Sequence, residues 1–152
     1  MSTDISLRRA TAEDRRAIIA LLEAAALPVD GIEDADFIVA DRARMIVGCA
    51  AIERRGTAGL LRSVAVDAAC RGSGIGHALV AHVIATASRE NIDPVVLLTT
   101  TAADWFARYA FTRIARADVP AALLASAEFQ GACPASAVIM RRALAASEPV
   151  RG

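Results

Sequence analysis

The sequence predicts one mixed α/β domain, and three observations carry the prediction. Apolar patterns follow the order helix, strand meander, strand, glycine-rich loop, helix, strand, helix, strand. The 152 residues suffice for a single compact core. Apolar side chains make up 55% of the chain, so a packed globule is expected rather than disorder.

Residues 5–9 alternate apolar and polar side chains and read as an edge strand. Thr11 is a good N-cap, Asp14 follows three positions on, and Ile18, Leu21, Leu22 and Ala25 then share one side of a helix. That helix should stop near Leu27-Pro28, because proline disfavours helix at the residue before it. Residues 28–36 are acidic and irregular, either a solvated connector or a mobile loop on the substrate side. Residues 37–40 and 45–53 read as strands, and their tight connection at 41–44 makes them an antiparallel hairpin. A turn at 56–59 leads into a strand at 60–66. The helix after the glycine loop repeats apolar side chains at Ile75, Leu79 and Val83 and should end near Glu90-Asn91. Val95–Thr99, after Pro94, is a short central strand, parallel to 60–66. Residues 102–109 read as a short helix, 111–115 as a strand, 119–125 as a helix with Pro120 in its first turn, and 136–142 as the strand that ends the sheet. Residues 148–152 read as a frayed tail.

The stretch Arg71-Gly72-Ser73-Gly74-Ile75-Gly76 organises the rest. Its glycines let the backbone approach a ligand closely, and the helix that follows presents unpaired N–H groups and the positive end of its dipole. Together these make a phosphate cradle. A Walker A loop requires lysine, and all basic residues here are arginine. The dinucleotide fingerprint Gly-x-Gly-x-x-Gly fails because Gly72, Gly74 and Gly76 are evenly spaced.

Bulk properties exclude other classes. Seventeen acids balance seventeen arginines, so no basic face argues for nucleic acid. Without lysine there is no Schiff-base chemistry. Cys49, Cys70 and Cys133 are too few and scattered for a disulfide framework, and no spacing suggests a metal. No apolar run is long enough for a membrane span, and residues 1–4 lack the marks of a signal peptide, so a cytoplasmic location is expected.

Arg71, Gly74 and Gly76 fill the pattern Arg/Gln-x-x-Gly-x-Gly/Ala, which resembles the acetyl-CoA pyrophosphate loop of the GNAT N-acetyltransferase superfamily. The resemblance extends over residues 5–144. It implies a mixed, mostly antiparallel sheet whose two central parallel strands splay apart, flanked by helices, with the pantetheine arm of acetyl-CoA in the gap. The run from Thr99 to Phe111 resembles Asn-x-x-Ala-x-x-Phe-Tyr-x-x-x-Gly-Phe, keeping Ala102 and Phe111 but carrying Thr99, Phe106 and Ala110 in place of Asn, Tyr and Gly. In many GNAT enzymes that tyrosine protonates the departing thiolate, and Phe106 has no phenol. Leu97-Leu98-Thr99-Thr100, the stretch from Glu53 to Val66 and the stretch from Pro120 to Ala137 resemble the small acetyltransferases encoded with arsenic-resistance genes. Short-form N-acetylglutamate synthases share a similar pattern.

The implied reaction is acetyl transfer from acetyl-CoA to the amine of a small molecule. By resemblance the acceptor is an α-amino acid or a toxic glutamate analogue, phosphinothricin-like or arsenic-containing. Glutamate acetylation for arginine synthesis is an alternative, and a catalytically weak acyl-CoA sensor is another. The cofactor set implied is Val64, Ala65 and Val66 through backbone N–H groups, Arg71, Gly72, Ser73, Gly74, Ile75 and Gly76 in the loop, and Thr99, Ala102 and Phe106 beyond it. An amine must lose a proton before it attacks, so a general base is useful, and Glu53, a carboxylate ending an apolar strand, is the candidate. Its alternative is a solvent-exposed strand-end glutamate, paired with Arg54, Arg55 or Arg62. Arg62 interrupts an apolar strand and has the fork geometry to hold a substrate carboxylate, with Ser63 beside it on the opposite face. His77 and His82 lack a nucleophile or carboxylate partner and read as structural. A homodimer is compatible with this reading.

Overall fold

The computed structural model describes residues 4–143, so the tail at 148–152 and the end of the resemblance at Leu144 lie outside the described residues. Seven strands form one sheet: β1 (Ser6–Arg9), β2 (Asp36–Arg42), β3 (Met45–Arg55), β4 (Ala58–Val66), β5 (Val95–Thr99), β6 (Thr112–Ile114) and β7 (Val138–Arg142), in the order β1-β2-β3-β4-β5-β7-β6. Every neighbouring pair is antiparallel except β4 and β5. The α-helices are α1 (Arg15–Ala24), α2 (Ile75–Arg89) and α3 (Ala103–Ala107).

The entry to α1 is built as the Thr11–Asp14 spacing implies. The Asp14 carboxylate accepts from the Thr11 backbone N–H at 2.7 Å and from two nitrogens of Arg8 at 2.8 and 3.0 Å. The arginine hydrogen bonds hold the Asp14 carboxyl down from the ordinary 3.8 to about 2. A depressed carboxyl stabilises the fold above its unfolded value and loses that contribution as pH falls through the folded one. Asp14→Asn should therefore cost about 1 kcal/mol at pH 7, or about 2–4 °C in Tm for a chain of this size. The gap from wild type should close in thermal melts as pH approaches 2. Equal Tm values at pH 7 would remove Asp14 from the helix entry.

α1 stops at Ala24, earlier than the proline required. Ala26 turns left-handed at φ 57°, and Leu27 N–H bonds back to the Leu22 carbonyl at 2.9 Å, so a left-handed cap ends the helix before Pro28. The β2–β3 hairpin turns on Ala43 and Arg44 at φ 52° and 69°, the primed geometry that matches strand twist. Without glycine there, the Asp41 carboxylate secures the turn by accepting Arg44 N–H at 3.0 Å.

Three expectations are corrected. Residues 119–125 form no α-helix: Ala121–Ala125 is a 3₁₀ segment, and a second 3₁₀ turn, Ala127–Phe129, follows. Pro120 and Ser126 bracket only five residues, too few to propagate an α-helix, while Val119, Leu123 and Phe129 pack down over Ala58, Leu60 and Val96. β7 does not lie at the sheet's end, because it inserts between β5 and β6. The strand alternation that would set Ser63 opposite Arg62 also fails. The β3–β4 register shifts by one residue between the pairs Cys49↔Ala65 and Ala51↔Arg62, and Ser63 takes φ 61°, so β4 carries a bulge at this point.

α1 packs against Val39, Cys49, Ala51 and Ala65, while α2 belongs to a separate apolar cluster with Ala40, Ala50, Ile52, Leu61 and Leu97. The two helices therefore cover opposite faces of the sheet. The parallel ladder between β4 and β5 has two pairs, Gly59↔Val95 and Leu60↔Val96. Beyond Leu60 the strands diverge, and the space between them is the functional cleft. Among the described residues, no helix is long and apolar enough to cross a membrane.

Candidate active site

The cleft has a volume of about 350 Å³ and is walled by Leu61, Arg62, Ser63 and Val64 on β4 and by Leu97, Leu98 and Thr99 on β5. Thr100, Thr101, Ala102, Trp105 and Phe106 close the α3 side, Ala25 to Pro28 another, and Glu128, Cys133, Pro134 and Ala137 a third. Beyond Leu60 the backbone of β4 is not paired with β5, although the Ser63 and Val66 carbonyls accept from Cys49 and Arg71 and the Ala65 backbone bonds Cys49.

A second cavity, about 570 Å³, opens around Val66, Arg71, Gly72, Gly74, Ile75 and Gly76, with His77, Trp105, Arg108 and Tyr109 across from them. Trp105 lines both cavities. Gly72 and Gly74 sit at φ 84° and 86°, where L side chains are strained, and a Cβ on either would project into open space. Gly74 is the N-cap of α2, so the first N–H groups of a 15-residue helix face this space. A phosphate group fits such a cradle. Ser73 is tied down by its hydroxyl to the Cys70 carbonyl, and Arg71 Nε donates to the Val66 carbonyl at 3.3 Å. Gly76 would meet Val66 and Trp105 at ordinary contact distance if it bore a Cβ, so close packing is not what requires glycine there.

The remaining predicted residues distribute as follows. Thr99 Oγ1 accepts the Ala102 N–H at 3.0 Å, which fixes the entry to α3. Phe106 stacks edge-on against Trp105 and Phe111 and lines the cleft without offering a proton. The nearby phenol, Tyr109, belongs to the glycine-loop cavity and hydrogen-bonds His77 Nδ1 at 2.7 Å, so it does not stand in for a tyrosine at 106. His77 thus acquires a partner that sequence reasoning had not found. Ala65 is packed in the core under α1.

Glu53 and Arg62 meet, but not as an open acid and a free cation. Glu53 is 1% exposed and does not line the cleft. Its oxygens accept from Arg55 Nε at 2.7 Å, from an Arg62 terminal nitrogen at 3.0 Å and from Ser126 Oγ at 2.9 Å. Arg62 also donates to the Asp30 carbonyl at 2.7 Å and to Ser63 Oγ at 3.2 Å, and its Nε lies 3.4 Å from a Glu128 oxygen. The pairing with Arg55 and Arg62 that the sequence offers as the alternative to a base is present, but the solvent exposure expected with it is not, because Glu53 is buried.

Glu128 is the site residue the sequence reading passed over. It is buried yet lines the cleft. Desolvation, set against Arg62 and helped by the Glu53 charge, raises its carboxyl from 4.5 to about 7. The signal available was an acid set between Ala127 and Phe129, two positions after a serine that can cap a turn; Ser126 Oγ indeed accepts the Glu128 N–H at 3.2 Å. Cys133 is pushed up to about 12 by burial and by the Glu128 charge, so it stays a thiol. Cys49 and Cys70 are buried and free. Among the described residues no group of three His, Cys, Asp or Glu is placed to hold a metal ion.

Comparison with known proteins agrees with this architecture. The profile described as an acetyltransferase (GNAT) domain matches residues 33–113, more than half of the chain. N-acetylglutamate synthase from Neisseria gonorrhoeae, complexed with coenzyme A and N-acetyl-glutamate, superposes with a TM-score of 0.78 at 24% identity over 95% of this chain. The chain spans 36% of that synthase's length. Rv2747 from Mycobacterium tuberculosis, solved with CoA and the ligand NLQ, gives 0.74 at 27% identity, covering 91% of this chain and 99% of its own. A GNAT-family acetyltransferase from Staphylococcus aureus gives 0.76 at 20% identity, with 93% and 99% covered. With the profile spanning the hairpin, the splayed strands and the glycine loop, this chain belongs to the GNAT acetyltransferase family.

Proposed function

We propose that this N-acetyltransferase moves the acetyl group of acetyl-CoA, its co-substrate, onto the amine of an α-amino acid of the glutamate type or a toxic analogue of one. The observation that carries an amine acceptor is the charge of the cleft: of the two charged side chains lining it, Arg62 is fully enclosed and engaged by Glu53, Glu128, Ser63 and Asp30, which leaves the Glu128 carboxylate. A carboxylate in a wall otherwise apolar, hydroxylic or thiol suits the ammonium of such an acceptor. The N-acetyl-glutamate held by the gonococcal synthase supports an acceptor of this kind.

The residues divide the work as follows. Backbone N–H groups at Val64 and Val66, beyond the short β4–β5 ladder, polarise the thioester carbonyl as it takes on negative charge, while Ala65 is held on the α1 side by Cys49. The glycine loop fixes the pyrophosphate and so sets where the thioester lies. The amine nitrogen attacks the carbonyl carbon, the C–S bond breaks, and CoA leaves as a thiolate that takes a proton from solvent or from the attacking nitrogen, since Phe106 has none to give. That missing phenol also favours a second reading, a sensor that binds acetyl-CoA without turning it over.

Free-thiol release from acetyl-CoA across amino acids, polyamines, aminoglycosides and peptides separates these. L-Glutamate and its analogues are expected to react fastest. Binding of acetyl-CoA with no thiol release on any acceptor would establish the sensor, and a preference for polyamines would overturn the amino-acid assignment.

A further inference from the structure

Two carboxylates share the buried centre between β3, β4 and the 119–129 segment, and their situations differ. Glu53 is saturated by Arg55, Arg62 and Ser126 at 2.7–3.0 Å and is walled off from the cleft. Glu128 has a long contact of 3.4 Å to Arg62 Nε, a nitrogen that also donates to Ser63 Oγ, and it opens onto the cleft. Resting on the acetyltransferase reading above, we propose that Glu128 is the general base that deprotonates the acceptor ammonium, with Arg62 and Glu53 as positioning residues that hold its carboxylate.

Three further considerations support this. First, the other lining groups cannot serve. Arg62 has no acceptor atom, Cys133 keeps its proton to about 12, and the threonine hydroxyls and Trp105 are not bases at neutral pH. Neither histidine lines the cleft. Second, the groups around Glu128 leave it incompletely compensated. Arg62 of β4 attracts it but is shared with Glu53 of β3, Glu53 repels it, and Cys133 contributes a hydrogen bond, whereas Ser126 bonds the Glu128 backbone N–H and the Glu53 carboxylate instead. Burial then brings its proton affinity to about 7, where a base both exists unprotonated and takes a proton readily. Third, the protons balance. The ammonium gives one proton to Glu128 and becomes the nucleophile. A second leaves the nitrogen as the amide forms and neutralises the thiolate. Glu128 returns its proton to water through the cleft, for a net release of one proton per turnover.

The same arrangement dictates a stability signature. A carboxyl whose folded value is raised above its unfolded one costs stability as pH rises past the unfolded value. Glu128→Gln should therefore keep or raise Tm at pH 8, whereas a carboxylate retained for structure would lower it. With acetyl-CoA and L-glutamate, or the panel amino acid turned over fastest, Glu128→Gln should lose about 100-fold in kcat/KM at pH 7. It should recover as pH approaches that of the free amine, with the acetyl-CoA thermal shift intact. In the apoprotein, the wild-type minus Glu128→Gln infrared difference spectrum should show one carboxyl titrating near neutral pH, a readout independent of any acceptor. Glu53→Gln removes a charge that raises Glu128 and so should shift the pH dependence of the rate to lower pH without abolishing it. The proposal is overturned if Glu128→Gln keeps wild-type activity at pH 7, if Glu53→Gln instead removes the pH dependence, or if the Glu128 band titrates below about 5. Wild type inactive on every acceptor, with the infrared titration present, would instead sink the acetyltransferase reading.

Discussion

Arg62→Ala should cost the folded state about 3–5 kcal/mol, because one guanidinium neutralises two buried carboxylates. The side chain is fully enclosed, and it connects Glu53 on β3, Glu128 on the 3₁₀ turn and the carbonyl of Asp30 before β2. Removing it leaves two acids facing each other in low dielectric and frees the loop that Asp30 anchors. Urea denaturation at pH 7 measures the loss. Arg62 lowers the proton affinity of Glu128, so without the cation Glu128 holds its proton more tightly, and the deficit grows as pH rises above the unfolded carboxyl range and shrinks as it falls below. Arg62→Lys should recover little, since an ammonium cannot span these partners. Arg62→Met combined with Glu128→Gln should recover most of the deficit, since Glu53 keeps Arg55. A deficit under about 1 kcal/mol for Arg62→Ala would mean that the pairs are screened as on a surface.

Gly74→Asp should abolish the stabilisation that acetyl-CoA confers on the wild type. At a ligand concentration 100-fold above Kd that stabilisation is about 2.7 kcal/mol, or roughly 5–10 °C for a chain of this length. The argument is local. Gly74 caps α2 in the left-handed region, with open space where a Cβ would stand. An aspartate there fits without clash and projects a negative charge into the volume that the pyrophosphate requires. Gly74→Asn separates charge from strain: asparagine tolerates the left-handed region, carries no charge and should retain part of the shift. A full shift surviving in Gly74→Asp would remove the glycine loop from the cofactor site.

Much of the scaffold was legible because local chemistry and tertiary packing agree. Residues 37–40 and 45–53 became β2 and β3, residues 60–66 became β4, and the loop-to-helix transition lies at Gly74–Ile75. The failures share a cause. Residues 119–125 carry helical composition but only five positions between Pro120 and Ser126, and their packing over β4 selected a tighter winding. The bulge at Ser63 left no trace in residue type, because serine has no special preference for the left-handed backbone it takes there, and the shift shows only in the β3–β4 pairing. At the site, the pairing of Glu53 with Arg62 was foreseeable from two charges on adjacent strands. That Ser126 would complete the pairing, leaving Glu128 as the carboxylate on the cleft, depended on a contact 73 positions apart in sequence. No periodicity encodes such a contact.

The two-pair ladder between β4 and β5 also bears on how the protein avoids aggregation. A seven-stranded sheet normally has two open edges, and each is a template for a foreign strand. Here there are four, because the divergence exposes two more inside the molecule. Those inner edges face each other across a gap roofed by α3 and floored by the 126–137 segment, so a slender chain can enter but a second protein's sheet cannot approach. Backbone that would be a hazard on the outside of the protein is thus kept harmless by its location, where the proposed acetyl-CoA site would use it.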